Sequence, residues 1–379
     1  MSTYIVSQKP FRYGGLQEDY LAQVAGVVSE TAGKFRQARN ENADLIDLFH
    51  RTLADLGAAR LRIAQEHGTE QGELFGVRRD FAESFIEPGI TPMGGVYSTY
   101  NKRLVNLFTD YLDHLRQTQE GFPEIELVIN EGDYETRASR AEFILLSDTA
   151  LEQLAIPETF EEYQRFCEMC SLPCSEPRSV TFSDFAALLT NRGAMQALRS
   201  CSIGDYNTLR LISALFFLRS SFSGITDWLL VTRYLDVADQ LHQISEYLIG
   251  FNDQAPKDTL QCMRENAITV ILHQDAFLVD SMLADVAHLF KEALEWDGSD
   301  PKMLKGRVAL LQYELAHAMP FKRGTAAISE WLEMALYRHH GFNLIYNPEK
   351  NVNLEALTSP LSQFMEGYDS MLTIQPLPL

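Results

Sequence analysis

Basic residues are scarce in this chain: 32 Lys and Arg stand against 52 Asp and Glu, giving a net charge of −20 over 379 residues. A polyanion is repelled by such a surface unless the cations gather in one patch, which excludes a general nucleic-acid surface. The one local cluster, Arg78-Arg79 with Lys102-Arg103, is too short to reverse this. Long apolar runs are missing as well. Nothing approaches the roughly 20 apolar residues of a membrane helix, so no membrane span is expected. The most apolar stretch, Leu209 to Leu218, is broken by Arg210 and Ser213 and reads as a buried helix. The five cysteines are an odd number, and no secretory signal is legible between Met1 and Gly15. Together these point to a reducing, cytoplasmic setting and away from a disulfide framework. The chain also lacks G-x-S-x-G, H-E-x-x-H and the phosphate loop G-x-x-x-x-G-K-[ST]. The first two absences argue against an α/β-hydrolase and a zincin. Met93-Gly94-Gly95-Val96-Tyr97 is glycine-rich but follows no predicted strand, and reads as a domain joint.

What the chain does have is helical periodicity, and 46% hydrophobic residues to build a core. Helices are expected over Gln17–Arg36, Ala43–Glu66, Ser98–Thr118, Phe160–Glu168, Asn207–Ser221, Thr226–Ile249 and Thr259–Leu272. Four more follow at Asp275–Trp296, Leu304–Ala318, Thr325–His340 and Leu354–Tyr368. Two short runs, Glu124–Ile129 and Glu142–Leu146, flank a polar turn and predict one β-hairpin over about 124–146. The expected fold is mainly α, a helical bundle in two lobes with one small hairpin. Breaks at Glu87–Gly95 and Leu172–Arg178 place the boundary between an N-terminal lobe, 1–178, and a C-terminal helical domain, 179–379.

Several independent cues converge between His317 and Trp331. Pro320 cannot continue the preceding helix, Gly324 frees the backbone, and Thr325 is placed to cap the next helix with its hydroxyl. The loop thus offers backbone amides beside Arg323, an arrangement suited to phosphate or carboxylate at a helix N-terminus. Arg323, Gly324, Thr325 and Ala326 are the candidate anion-binding residues. His317 is the candidate base and Glu330 a carboxylate one and a half turns into the second helix. The alternative is a plain helix joint, with Arg323 paired to an acid and His317 a core histidine.

Aligned from Met319 to Phe342, the segment resembles the core motif HPFxDGNGR of the Fic/Doc/AvrB-like (Fido) superfamily. Pro320, Phe321 and Gly324 match. The departures are Met319 at the catalytic histidine, Arg323 at the acidic metal ligand, Thr325 at the asparagine, and Ala326 and Ala327 at the second glycine and the arginine. The resemblance implies a transferase that moves a nucleotide-derived, phosphate-containing group such as AMP onto a protein side chain. It implies ATP as co-substrate, leaves magnesium open, and makes a target protein and a nucleotide the expected partners. An exported bacterial effector with a virulence role, secreted unfolded into a host cytosol, fits that chemistry. A catalytically inactive effector or scaffold that binds a partner protein is the rival reading.

A third reading rests on Cys167, Cys170 and Cys174, three thiols within eight residues that suit a metal or redox centre, although no second knuckle accompanies them. Two H-x-x-x-E pairs, His242–Glu246 and His288–Glu292, sit at one-turn spacing if helical. His242 and Glu246, with Ser202 as a partner in phosphoryl or nucleotidyl transfer, form a secondary acid–base candidate.

Overall fold

Antiparallel pairing dominates the centre of the molecule. The computed structural model describes residues 17–79, 90–93, 97–118, 127–135, 137–147, 227–237, 240–251, 267–273 and 276–377. Within them are helices α1 (Gln17–Asn40), α2 (Leu45–Glu66), α3 (Ser98–Thr118), α4 (Ala276–Leu294), α5 (Pro301–Ala318), α6 (Thr325–His339), α7 (Val352–Thr358) and α8 (Leu361–Gly367). The strands are β1 (Ile90–Pro92), β2 (Leu127–Tyr134), β3 (Arg137–Ser147), β4 (Asp227–Val237), β5 (Gln240–Phe251), β6 (Ile268–His273), β7 (Phe342–Tyr346) and β8 (Leu372–Pro376). Strands β1 to β6 form one six-stranded sheet in the order β1-β6-β5-β4-β3-β2, and β7 pairs with β8. The architecture is α-rich with two sheets, which replaces the expected bundle with a lone hairpin. No helix among the described residues is long and apolar enough to cross a membrane.

The expected hairpin is there, as β2 and β3, but it is the outer part of a larger sheet. Strand β3 pairs with β4 from Arg137↔Val237 to Ser147↔Asp227. Elements on either side of the expected boundary at 178/179 therefore share one sheet, and their buried residues belong to one hydrophobic cluster.

The stretch expected as a helix over Thr226–Ile249 is the β4–β5 hairpin. Its residues Leu229, Leu230, Val231, Leu248 and Ile249 are buried without alternation. A strand covered on both faces reads as a continuous apolar run, which periodicity alone does not separate from a helix. The β-branched and aromatic content of Trp228-Leu-Leu-Val-Thr-Arg-Tyr234 is what tips it to a strand. Likewise the end of Thr259–Leu272 is β6, and Leu354–Tyr368 is two short helices separated at Pro360, which begins α8 as its N-cap. The expected helices at Phe160–Glu168 and Asn207–Ser221 lie outside the described residues.

Helices α5 and α6 form the centre of the helical layer. Asp300 caps α5 by accepting from the Lys302 amide, with Pro301 in the first turn. From Val308 to Ala318 every α5 residue is buried, as is every α6 residue from Ile328 to Tyr337. Helix α1 packs on α6, and α2 packs on α4 and α6.

Between sheet and helices lies a fully desolvated ion pair. Arg233 Nη2 is 2.8 Å from Glu131 Oε1, and both side chains are 0% exposed. Arg233 also donates to the Ser359 carbonyl at 3.1 Å, while Glu131 accepts from Ser139 Oγ at 2.9 Å. The guanidinium stacks 5.6 Å from the Phe108 ring centroid and 5.3 Å from that of Tyr247. Beside it, Arg103 pairs with Glu355 and donates to Ser359 Oγ at 2.6 Å.

Glu333 is the buried acid of α6. Tyr346 donates to it at 2.5 Å and Tyr368 donates to its other oxygen. Burial pushes its pKa from 4.5 up to about 7, against the pull of the two hydroxyls. A carboxyl raised in the native state binds more protons folded than unfolded. Its contribution is thus complete below the unfolded value and is lost as pH climbs through about 7. Urea denaturation at pH 5 and pH 7 is expected to show lower stability at pH 7, with a shallower decline in Glu333→Gln. An unchanged slope in that variant refutes the assignment.

Candidate functional site

Helix α5 stops because Met319 turns left-handed (φ 41°, ψ 58°) and Pro320 follows it. The segment after α2 then runs beside the loop. The Arg79 amide donates to the Pro320 carbonyl at 3.0 Å, the Lys322 amide to Val77 at 2.9 Å, and the Gly76 amide to Arg323 at 2.9 Å. Arg79 Nη1 adds a bond to the Met319 carbonyl at 3.2 Å. Two glycines let these backbones meet. A Cβ on Gly76, where φ is +73°, would stand 2.0 Å from the Gly57 carbonyl oxygen; one on Gly57 would stand 2.9 Å from the buried Phe321 ring.

Gly324 is the N-cap of α6, with φ at +88°. Thr325, expected as the cap, turns the other way: its buried hydroxyl accepts from the Phe321 amide at 3.3 Å and faces the Phe321 carbonyl at 3.4 Å. No side chain caps α6, so its first-turn amides are left to solvent or a ligand. Arg323 beside them is exposed, with no acid paired to it among the described residues, and its guanidinium carbon lies 5.9 Å from the Phe75 ring centroid. Gly324, Ala326 and Ala327 are half-buried.

Arg60 of α2 belongs to the same place and escaped the sequence reading. It is 7% exposed, its guanidinium carbon is 4.4 Å from the Phe75 centroid, and its Nε has no hydrogen-bond partner. The signal was present: Arg60 interrupts the buried stripe Phe49, Leu53, Leu56, Ile63 of an otherwise regular amphipathic helix.

His317 does not join the loop. It is 0% exposed, its Nδ1 is 2.7 Å from Ser245 Oγ on β5, and its ring lies 4.6 Å from that of Tyr313. Burial first, then the charge of Arg233, holds its pKa well below the usual histidine range. It is a core histidine that ties α5 to the sheet through Ser245. Glu330 is also buried, six residues beyond Gly324 and hence about 9 Å along the axis. Its charge acts on Tyr20 of α1, whose hydroxyl is pushed up chiefly by burial, with Arg60 opposing.

The secondary candidates separate. His242 and Glu246 lie on strand β5, where four residues span about 13 Å, so they do not meet as they would on a helix. His242 instead approaches Asp285 of α4 at 3.4 Å. His288 and Glu292 do share a helix, but His288 is exposed and Glu292 pairs with Arg307 at 2.8 Å. Ser202, Cys167, Cys170 and Cys174 lie outside the described residues. Among the described residues no group of three or more His, Cys, Asp or Glu is placed to hold a metal ion.

No curated protein matches the chain. A family model does: AvrB_AvrC, described as avirulence protein, matches residues 229–375. The matched region is less than half of the chain and runs from β4 to β8. It contains Arg323 and the start of α6, and leaves Arg60, Phe75 and the β2–β3 hairpin outside. A partial match of this kind supports distant kinship to the broader Fic/Doc/AvrB-like superfamily.

Proposed function

We propose that this chain is a divergent Fic-like transferase that holds the phosphates of a nucleotide such as ATP at the start of α6. It transfers a phosphate-containing group, AMP in the simplest case, to a side chain of a protein target. The observation that carries this reading is the exposed Arg323 beside a helix N-terminus that no side chain caps. Uncapped amides and a planar guanidinium match phosphate oxygens in both charge and geometry. The match to an avirulence-protein family over the same segment supports an effector that acts inside a host cell.

In this reading Arg323 and the amides of Gly324, Thr325 and Ala326 hold the anion. Arg323 stands where the superfamily keeps an acidic metal ligand, so a cation faces the phosphates directly. Nucleotide charge developing in the transition state is what such a fixed cradle stabilises. His317 is given no part, because its ring is sealed in the core and already bonded to Ser245. Glu330 is given no direct contact with the phosphates.

Nucleotide at 100 times its dissociation constant should add about 2.7 kcal/mol to the stability of the protein, readable as a rise in melting temperature. Arg323→Ala removes a charged hydrogen bond of about 1.5–3 kcal/mol, a loss of roughly 10- to 100-fold in affinity. Transfer is read as label from α-labelled ATP appearing on a protein of a host lysate and absent with Arg323→Ala. If no nucleotide shifts the melting temperature of the wild type, the proposal fails.

One observation favours a second reading, binding without transfer. Met319 occupies the place of the superfamily's catalytic histidine, in a left-handed cap that points no titratable group at the loop. Nucleotide binding without any transferred label, together with capture of a partner protein unaffected by Arg323→Ala, would select it.

A further inference from the structure

Arg60 is an arginine the fold does not otherwise account for. It comes from α2, outside the region matched by the family model, and it is more than nine-tenths buried. A guanidinium withdrawn from water normally finds a carboxylate or several carbonyls. Elsewhere in this protein it does: Arg233 has Glu131 and Arg137 has Glu314. No hydrogen bond or ion pair to Arg60 is found among the described residues, and its Nε is buried without an acceptor. What it has is the face of Phe75, which supports the plane of the cation and leaves its N–H edge unused. Burial pulls its pKa down, with only Tyr20 nearby to offset it.

Its direction is fixed by Gly324. A Cβ placed there would stand 3.1 Å from Arg60 Cγ and 3.3 Å from its Nε, so the arginine lies against the N-cap of α6 itself. Arg323 reaches the same ring from the loop, its guanidinium carbon 5.9 Å from the centroid against 4.4 Å for Arg60. Two guanidiniums and an uncapped helix start therefore converge around Phe75 and Gly324. A carboxylate does not balance that much positive charge, and a single phosphate has too few oxygens to meet two guanidinium forks and the helix amides together, whereas a diphosphate offers separate oxygens to each fork.

We infer that Arg60 is the second, buried guanidinium of this anion site, and that the site takes a diphosphate-bearing ligand in preference to a single phosphate or carboxylate. This rests on the functional reading above. It also explains the energetic imbalance: an unpaired buried charge opposes folding in the free protein and is neutralised when the ligand arrives.

The test uses the full chain with inorganic pyrophosphate and inorganic phosphate as probes, binding measured by calorimetry and folding by thermal melts without ligand. The wild type is expected to bind pyrophosphate at least tenfold tighter than phosphate. Arg60→Met is expected to lose at least tenfold in pyrophosphate affinity while melting no lower than the wild type in the absence of ligand. Arg60→Lys, which keeps the charge and loses the fork, falls between the two. A residue that merely packs would behave in the opposite way, lowering the melt and leaving binding intact, and that result overturns the inference. If Arg60→Met does not fold, the energetic half is overturned and the pyrophosphate affinity of Arg60→Lys decides the rest. If Arg323→Ala abolishes binding and both Arg60 variants bind as the wild type does, Arg60 is excluded and the anion site stands. A wild type that binds neither probe ends both.

Discussion

Glu131→Ala is expected to lose about 3–5 kcal/mol of stability, because it strands the Arg233 charge in a place with no access to water. That is a large fraction of what a domain has to lose. The remaining contacts of Arg233, to the Ser359 carbonyl and to the rings of Phe108 and Tyr247, are neutral and do not replace a carboxylate. The double variant Glu131→Met with Arg233→Met should be markedly more stable than Glu131→Ala, since removing both partners also removes both desolvation costs. Urea denaturation of the three proteins measures this directly. A loss below 1 kcal/mol in Glu131→Ala would mean that water reaches the pair and that it does not organise the sheet.

Gly76→Val should be nearly as damaging, and in a more local way. The added Cβ would collide with the Gly57 carbonyl at 2.0 Å, and a β-branched residue is poorly tolerated at a φ of +73°. Since the Gly76 amide also holds the Arg323 carbonyl, separation there frees the loop from α2 and moves Arg60, Phe75 and Arg323 apart. Both stability and pyrophosphate binding are expected to fall together. Gly68→Ala is the control: its φ is +59°, and nothing stands within 4 Å of the new Cβ, so it carries only the backbone strain of about 1 kcal/mol. If the two variants melt alike and both bind ligand, the glycine contact is not what seats the loop.

Some of this was legible from residue order alone and some was not. Helices α1, α2, α3 and α4 were readable because each exposes one face and buries another, which leaves a period in the sequence, whereas α5 and α6, buried over most of their length, were readable from their length and from the Pro320 and Gly324 that part them. The hairpin β2–β3 was readable because its strands alternate and a turn separates them. Strands β4 and β5 were not, because a strand covered on both sides shows no alternation. The helix break at Met319-Pro320 and the backbone freedom at Gly324 follow from proline and glycine stereochemistry, so the loop could be placed, although the cap expected at Thr325 falls on Gly324. Which polar groups surround it could not, since the Thr325 hydroxyl turns back to the amide and carbonyl of Phe321 instead of capping α6, and residue order does not state which it takes. His317 shows the limit most plainly. Two residues from the motif in sequence, it faces the opposite way, toward Ser245, because a helix turns by about 100° per residue. Arg60 lies far upstream and was visible only as a charge out of place on an apolar stripe.

The ladder between β3 and β4 also bears on how the protein is made. Ser147 and Asp227 sit opposite each other although a long stretch of chain separates them. As the polypeptide leaves the ribosome, β2 and β3 emerge well before β4, so the β3–β4 ladder cannot close until residue 227 has been synthesised. The β3–β4 ladder is thus a contact of long sequence separation, of the kind whose loop closure slows folding.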